Sequence, residues 1–544
     1  MTDVDLFEIE TVDVRGVPTK TWKHAPHDLR AVWDGSLAHG ENIYLVYASP
    51  TTGGTSEDQR FTYADAHRIV RAVADWMATE HGVRQGDRVA IAMRNYPEWV
   101  FTYWATIGLG AVAVPLNAWW TGPELAYGAT DSGAKLVVVD EERAERLAGH
   151  AEVTVVRTPE WQKIVERTDA PALPDITIDP DTDAVIMYTS GTTGKPKGAV
   201  GTHRNATNFL HNGTYRTVTA LQAAGIPADF VVPPPTTLLT FPLFHVGGLQ
   251  SFLLPFTLSG GKIVLMYKWD AKQAVELCER ENVTSFAGVP TTVFQLLEEA
   301  AAQGKELAAL GGISSGATLV PPELVRRIDQ QFASRAAPGN GYGLTETSGA
   351  AIANFGPAYV AKPESVGQAI APVIELRIAD PDGNEVPQGG VGEIWLKGPT
   401  VVRGYFGLDE ATAAAFTDGW FHTGDVGRVD EDGDLFVVDR IKDMIIRGGE
   451  NIYAAEIEAA LYEHADITEA AIIGIPHDRL GEEVGAVIRV RDGAAVTETD
   501  VQDHVAARLA AFKVPVKVWI VHEELPRNAS GKVLKRELRE SLLK

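Results

Sequence analysis

From about residue 60 the chain alternates between two hydrophobic rhythms. YADAHRIVRAVADWMATEH (63–81) has apolar positions three and four apart, the stripe of an amphipathic helix, and RVAIAM (88–93) is a short apolar run that reads as a strand. WVFTYWATIGLGAV returns to a helical pattern before AVPLN, and ELAYGATDSGA leads into the strand KLVVVD. Strands separated by helices of this size predict parallel sheets covered on both faces, an α/β fold.

Between about 365 and 440 the texture changes. ELRIADPDGNEV, GEIWLKGP and VGRVDEDGDLFVVDR are short strands with closely spaced turn signals, which predicts a small β-rich subdomain. The last hundred residues are mixed: AAEIEAALYEH and DVQDHVAARLAAF helical, EAAIIGIP, VGAVIRVR and VKVWIV strands. A small α+β domain follows from that order. No polar linker separates it from what precedes, so a boundary near 440 is a tight hinge. The apolar region 238–266 is as long as a membrane span, but Pro242, His245, Gln250, Pro255 and paired glycines interrupt it, so it reads as core or pocket wall. Residues 1 to about 55 carry no interpretable motif, although KTWKHAPHDLRAVWDGSLAH fits the start of a first helix.

Composition narrows the function. With 544 residues, several folding units are expected. Lys plus Arg number 48 against 73 Asp plus Glu, a net charge of -25 that repels nucleic acid and anionic bilayers. An anionic substrate therefore needs a local positive site. The one cysteine, Cys278, excludes an intramolecular disulfide and sits in a helical pattern, where packing is its expected role. MTDVDLFEIETVDV lacks the order of a secretion signal, which makes a cytoplasmic protein without a membrane segment the expectation.

The first chemistry-bearing stretch is YTSGTTGKPKG (188–198), after the apolar strand DAVIMY. It is not a Walker loop: only Thr192 and Thr193 separate Gly191 from Gly194, and Lys195 precedes Pro196. Exposed backbone N–H groups, the hydroxyls of Ser190, Thr192 and Thr193, and the charges of Lys195 and Lys197 make an anion cradle; a plain glycine-rich surface turn is the other reading the residues allow.

The motif series decides between them. PLNAWWTGPELAYGATDSGAKLVV precedes the loop, and FPLFHVGGL, GATL, GYGLTET, GEIWLKGP, WFHTGDVG, DRIKDMIIRGGENIY and LPRNASGK follow it. In this order they closely resemble the adenylate-forming acyl-CoA synthetases, from about residue 60 to 540. The resemblance implies a large N-terminal domain of parallel sheets (1–440) and a small mobile C-terminal domain (441–544), with Lys442 at the hinge.

The same resemblance assigns roles. Thr189, Ser190, Gly191, Thr192, Thr193, Gly194 and Lys195 grip the β- and γ-phosphates of ATP; Gly316, Ala317 and Thr318 wall the adenine with Gly341, Tyr342 and Gly343. Thr345 contacts the α-phosphate, Glu346 coordinates Mg²⁺, and Asp425 with Arg440 clamps the ribose, a carboxylate and a guanidinium fork matching its hydroxyls. Lys532, by itself an ordinary solvated lysine, becomes the cation aimed at the α-phosphorus during adenylation. In a second pose Gly448 and Gly449 flank the path of the coenzyme A thiol. His245 shields the carboxylate beside Phe241, Phe244, Val246 and Gly247, and Ser348, Gly349 and Ala350 leave room for a tunnel.

The implied reaction is ATP plus a carboxylic acid to acyl-AMP and pyrophosphate, then displacement of AMP by coenzyme A, by a monomer or homodimer. The apolar stretch at 238–266 favours a medium- to long-chain fatty or related acid. An aryl-acid ligase shares every motif; a luciferase-type oxygenase, a carrier-protein adenylating module and a non-catalytic nucleotide binder are further rivals. The chain ending directly after the helix of Lys532, with no carrier domain, weighs against the module.

Overall fold

The computed structural model describes all of the chain except residues 1–4, 49–57, 190–194, 228–229, 319, 449, 492, 529–531 and 544 and the side chain of Asn451. Two sheets form the bulk. One has six strands, in the order Lys197–Thr202, Asp183–Thr189, Val112–Pro115, Arg88–Ala92, Leu136–Val139 and Thr154–Val155, parallel apart from the first. The other has nine, and its centre is the parallel run Ala337–Leu344, Gly312–Gly316, Ser285–Gly288, Thr236–Leu239, Lys262–Met266 and Ile43–Ala48. The expected α/β class is thus what the chain adopts.

Local signals account for the elements. The helix Tyr63–Glu80 begins at Thr62, whose hydroxyl accepts from Asp65 N–H while the Asp65 carboxylate returns a bond to Thr62 N–H. Its apolar stripe packs Ile69, Val70, Val73 and Met77 against the buried Trp99, Tyr103 and Trp104 of the helix Pro97–Gly108. Each such side chain contributes about 1.5–3 kcal/mol on leaving water. Cys278 is 2% exposed, and burial pushes its thiol up to about 12, so it is packing and not a nucleophile.

The interrupted apolar stretch is core. Pro255 starts the helix Leu254–Ser259, Gly260 ends it at φ 72°, and a π-turn at Leu249–Leu253 precedes it. Leu243, Leu249, Leu253 and Leu254 are buried in the main core. Packing therefore accounts for much of the apolar character at 238–266, which ceases to be evidence about the acid. Among the described residues no helix is long and apolar enough to cross a membrane.

The 365–440 region forms a five-stranded sheet that includes Glu375–Ala379, Gly392–Lys397, Trp420–Val429 and Leu435–Arg440. A last five-stranded sheet, built on Ile467–His477 and Gly481–Val490, is covered by the helices Ala454–Tyr462 and Glu498–Ala506. Sequence reading found neither the π-turn nor the hairpin Ile9–Val14 with Val17–Trp22, whose positions lack a clear period.

Candidate active site

The parallel strands Gly312–Gly316 and Ala337–Leu344 pair with Gly316 opposite Gly341, so SSGATL and GYGLTET leave the sheet at one edge, at the carboxyl ends of the strands. Ala317 and Ser348, just beyond those ends, are held at φ 66° and 54°; left-handed backbone at non-glycine residues stores strain of about 1–3 kcal/mol and clusters at functional sites. Thr318 follows, partly buried. Gly343 packs so tightly on the Gly349 carbonyl that a Cβ would lie 1.9 Å from it, which explains the glycine without a ligand.

The turn Thr345–Thr347 is closed by Leu344 N–H donating to Thr347 Oγ1 at 2.9 Å, and it buries Glu346 to 8% exposure. Glu346 Oε1 accepts from the Tyr405 hydroxyl at 2.8 Å. Burial raises the Glu346 pKa, opposed by that bond and by the charges of Arg440 and Lys197. Among the described residues no Lys or Arg forms an ion pair with this carboxylate. A buried carboxylate left in that state suits a hard cation, so Mg²⁺ fits. Tyr405 belongs to no motif read from the sequence; only the fold brings it here.

A different acidic group is satisfied internally. Asp430, Asp432 and Asp434 lie close enough together to hold a metal, but the Lys362 ammonium donates to all three at 2.7, 2.6 and 2.7 Å. The lysine supplies the positive charge there.

Asp425 and Arg440 stand directly opposite each other in the antiparallel pair Trp420–Val429 and Leu435–Arg440. That register puts both side chains on one face, with Arg440 Nε 3.0 Å from Asp425 Oδ1. Tyr342 donates its hydroxyl to Asp425 Oδ2 at 2.8 Å, and burial followed by the Asp425 charge drives its pKa well up. Asp425 thus holds Arg440 with one carboxylate oxygen and Tyr342 with the other.

Lys532 reaches the same place from the far end of the chain. Burial, with the charges of Arg440 and Lys442, pulls its ammonium down to about 7, against the raising effect of Asp443 and Asp425. Lys442 is also lowered by burial and by Arg440. It lies in the turn 441–443, closed by Asp443 N–H and Met444 N–H on the Arg440 carbonyl at 3.0 and 3.1 Å. One further contact crosses this turn: the buried Asp439 carboxylate accepts from Ala454 N–H at the start of the helix Ala454–Tyr462. Beyond the turn, Lys535, three residues after Lys532, bonds Glu458 at 2.7 Å and feels the charges of Asp443 and Asp439.

A lowered lysine pKa has a direct consequence. The side chain is cationic below about 7 and loses charge above it in the free enzyme, whereas a bound polyphosphate pulls the pKa back up. The kcat/KM for ATP in the adenylation half-reaction is therefore expected to fall as pH rises through about 7, while kcat at saturating ATP stays level to higher pH. Lys532→Arg, always charged, is expected to flatten that fall. A kcat/KM that climbs through the same range contradicts this assignment.

Of the loop 188–198 the structure describes the two ends. Thr189 Oγ1 donates to the Lys197 carbonyl at 3.4 Å, Lys195 is exposed with its ammonium 4.7 Å from the Tyr127 ring, and Lys197 sits 5.0 Å from the Tyr405 ring. Ser190, Gly191, Thr192, Thr193 and Gly194 lie outside the described residues, as does Gly449. Gly448 follows Arg447 in the hairpin Ile445–Arg447 with Glu450–Ile452 at φ 60°, its N–H on the Leu480 carbonyl at 2.8 Å. His245 caps the short helix Val246–Gly248, its ring centroid 4.8 Å from that of Phe244. Burial lowers it to about 4, so the imidazole is neutral, and among the described residues its Nε2 has no partner.

The Asp425–Arg440 pair, the buried Glu346 carboxylate and Lys532 thus lie within electrostatic reach of one another. The profile of the AMP-binding enzyme family matches residues 36–406, and that of the AMP-binding enzyme C-terminal domain matches residues 456–532. The chain belongs to this family, the adenylate-forming superfamily. A feruloyl-CoA synthase of Amycolatopsis sp is 38% identical over 490 residues, 90% of this chain and 94% of that protein. The long-chain-fatty-acid–CoA ligase FadD13 of Mycobacterium tuberculosis is 33% identical over 509 residues, 91% of this chain and 95% of that one. Among solved structures, an o-succinylbenzoate coenzyme A synthetase from Bacillus subtilis in complex with ATP and magnesium ion superposes with a TM-score of 0.78 at 29% identity, covering 93% of this chain and 98% of that one. Within the family, the chain is an acyl-CoA synthetase, an AMP-forming acid–thiol ligase.

Proposed function

We propose that this enzyme joins a hydrophobic aromatic acid to coenzyme A, using ATP and Mg²⁺, in two half-reactions over one cleft. The observation that carries the reading is the convergence of Lys532 on the Asp425–Arg440 pair, close enough for both to shift its pKa, beside the buried carboxylate of Glu346. In the first half-reaction the acid's carboxylate oxygen bonds to the α-phosphorus of ATP as the bond to the bridging β-phosphate oxygen breaks. Asp425 and Arg440 hold the ribose, Tyr342 borders the base, and Thr345 and the Lys532 ammonium face the charge that grows on the α-phosphate. Mg²⁺ held at Glu346 would neutralise phosphate charge. The neutral His245 next to Phe244 keeps water from the carboxylate without competing for its charge.

In the second half-reaction the thiol of coenzyme A attacks the acyl carbon and AMP leaves. The anhydride is already activated, so orientation suffices. For that step the lobe 441–544 turns about Lys442 relative to 1–440, withdrawing Lys532 and bringing the Gly448 hairpin to the cleft.

Support for an aromatic acid comes from the 38% identity to a feruloyl-CoA synthase. A fatty acid is the second reading, favoured by the 33% identity to FadD13. ATP–pyrophosphate exchange with cinnamic, benzoic and fatty acids is the test: exchange with aryl acids, followed by thioester formation on adding coenzyme A, is expected. Exchange with fatty acids alone overturns the aromatic reading, and exchange with none overturns the ligase itself.

A further inference from the structure

Three segments of the active site meet around a small cavity of about 10 Å³. The hairpin of Asp183–Thr189 with Lys197–Thr202, which carries the loop 188–198 at its tip, presents the small residues Ala199 and Gly201 to it. The turn that bears Glu346 contributes Thr345 and, just beyond, Ser348; Val402, whose N–H donates to the Glu346 carbonyl at 2.9 Å, lies beside them. Gln250 closes the third side from the π-turn Leu249–Leu253, five residues after His245. Both flanking backbones are uncommon ones: π-turns recur at functional sites, and Ser348 is held at φ 54°.

The polar groups on this cavity do not satisfy one another. Gln250 is 2% exposed, its Oε1 is itself buried, and among the described residues that oxygen has no hydrogen-bond partner. An amide oxygen taken out of water in this way is destabilising unless something donates to it. Ser348 is buried too and gives its one hydroxyl hydrogen to the Thr400 carbonyl at 2.8 Å, which leaves its oxygen able to accept and unable to donate. Two acceptor-bearing side chains on one cavity call for a ligand with two donors. A space of about 10 Å³ matches a single water and nothing larger. Water, with two hydrogens to give and lone pairs left for the Thr345 hydroxyl, meets both conditions.

We infer that this cavity holds one buried water and that Gln250 is a positioning residue for adenylation, bonded through that water to the turn that carries Thr345 and Glu346. The inference rests on the roles given above to those two residues and adds what holds them. Gln250 belongs to the segment that begins at His245, on the side of the acid, whereas the turn faces the nucleotide. A water shared between them makes the placing of one depend on the other. A hydrogen bond of ordinary strength, lost from a group that sets reacting atoms in place, lowers the rate by about 10-fold.

A crystal structure of the wild type that shows ordered water tests the bridge: expected is one water within hydrogen-bonding distance of the Gln250 amide and of Thr345 or Ser348. No water there, or an amide bonded directly to another group, overturns it. Half-reaction kinetics test the role. In pyrophosphate exchange Gln250→Met, similar in length but apolar, is expected to lower kcat about 10-fold and to raise the half-saturating Mg²⁺ concentration, with the KM for the acid unchanged and thioester formation from supplied acyl-AMP within about 2-fold of wild type. Gln250→Asn, which keeps the amide, is expected to lose less. Thermal melting reports whether each variant is folded, and a midpoint raised in Gln250→Met is the signature of an amide that had no partner, which overturns the water. Should Gln250→Met not fold, Gln250→Asn and the crystal structure still decide. Equal loss in both half-reactions, or a change confined to the KM for the acid or to the choice of acid, overturns the positioning role. Exchange with no acid is the distinct failure of the ligase reading and takes the positioning role with it, while the crystal structure still decides the water.

Discussion

Lys532→Ala is expected to lower acyl-adenylate formation by about 10²–10³-fold or more, while conversion of supplied acyl-AMP by coenzyme A is expected to survive. The lysine is poised by its surroundings: Arg440 and Lys442 repel it and burial strips its water, so its charge is available to an arriving triphosphate and costs the free enzyme something to keep. In the thioester step the acyl carbon is attacked, the thiol proton is released, and AMP leaves with the anhydride oxygen's electron pair; the α-phosphorus keeps its four bonds, so no pentavalent centre forms there for Lys532 to stabilise. Pyrophosphate exchange and single-turnover thioester formation from synthetic acyl-AMP measure the two halves separately. Equal loss in both contradicts the division of labour.

Glu346→Gln is expected to produce the second large effect. Gln keeps the shape, and its carbonyl can still accept from Tyr405, which bonds Oε1 at 2.8 Å in the wild type, so the fold around the turn survives. What goes is the negative charge, which a hard cation needs. The first half-reaction should fall about 10–100-fold at fixed Mg²⁺, with the half-saturating Mg²⁺ concentration rising correspondingly, and thioester formation from acyl-AMP should change little. An unchanged Mg²⁺ titration curve contradicts the role given to Glu346.

Local chemistry made most of the elements legible: the Thr62–Asp65 cap, the Pro255 and Gly260 punctuation, and the alternation that produced the two large sheets all act over a few residues. Asp425 and Arg440 were legible as motif members, and strand register explains why they meet. Tyr405 carried no signal. It acts on Glu346, a partner brought to it by tertiary packing, and sits in no pattern that sequence periodicity can mark. The tie from Asp439 to the helix at Ala454 escaped for the same reason, because a cap supplied from another strand is invisible in the residues that precede the helix. The apolar stretch 238–266 is ambiguous for a different reason: many of its side chains are core, so its hydrophobicity alone does not separate a fatty from an aromatic acid.

The Asp439 cap and the approach of Lys532 to Arg440 and Asp425 depend on the arrangement seen here, and a rotation about Lys442 would have to release them. That makes the alternation measurable. Cys278 is 2% exposed, so cysteines introduced at the exposed positions Lys163 and Glu523 can be spin-labelled selectively, one on each lobe. Pulsed electron-spin distance measurement is expected to give one separation with ATP and a second, distinct population with a non-hydrolysable acyl-AMP mimic plus coenzyme A. A single unchanged separation under both conditions contradicts the account.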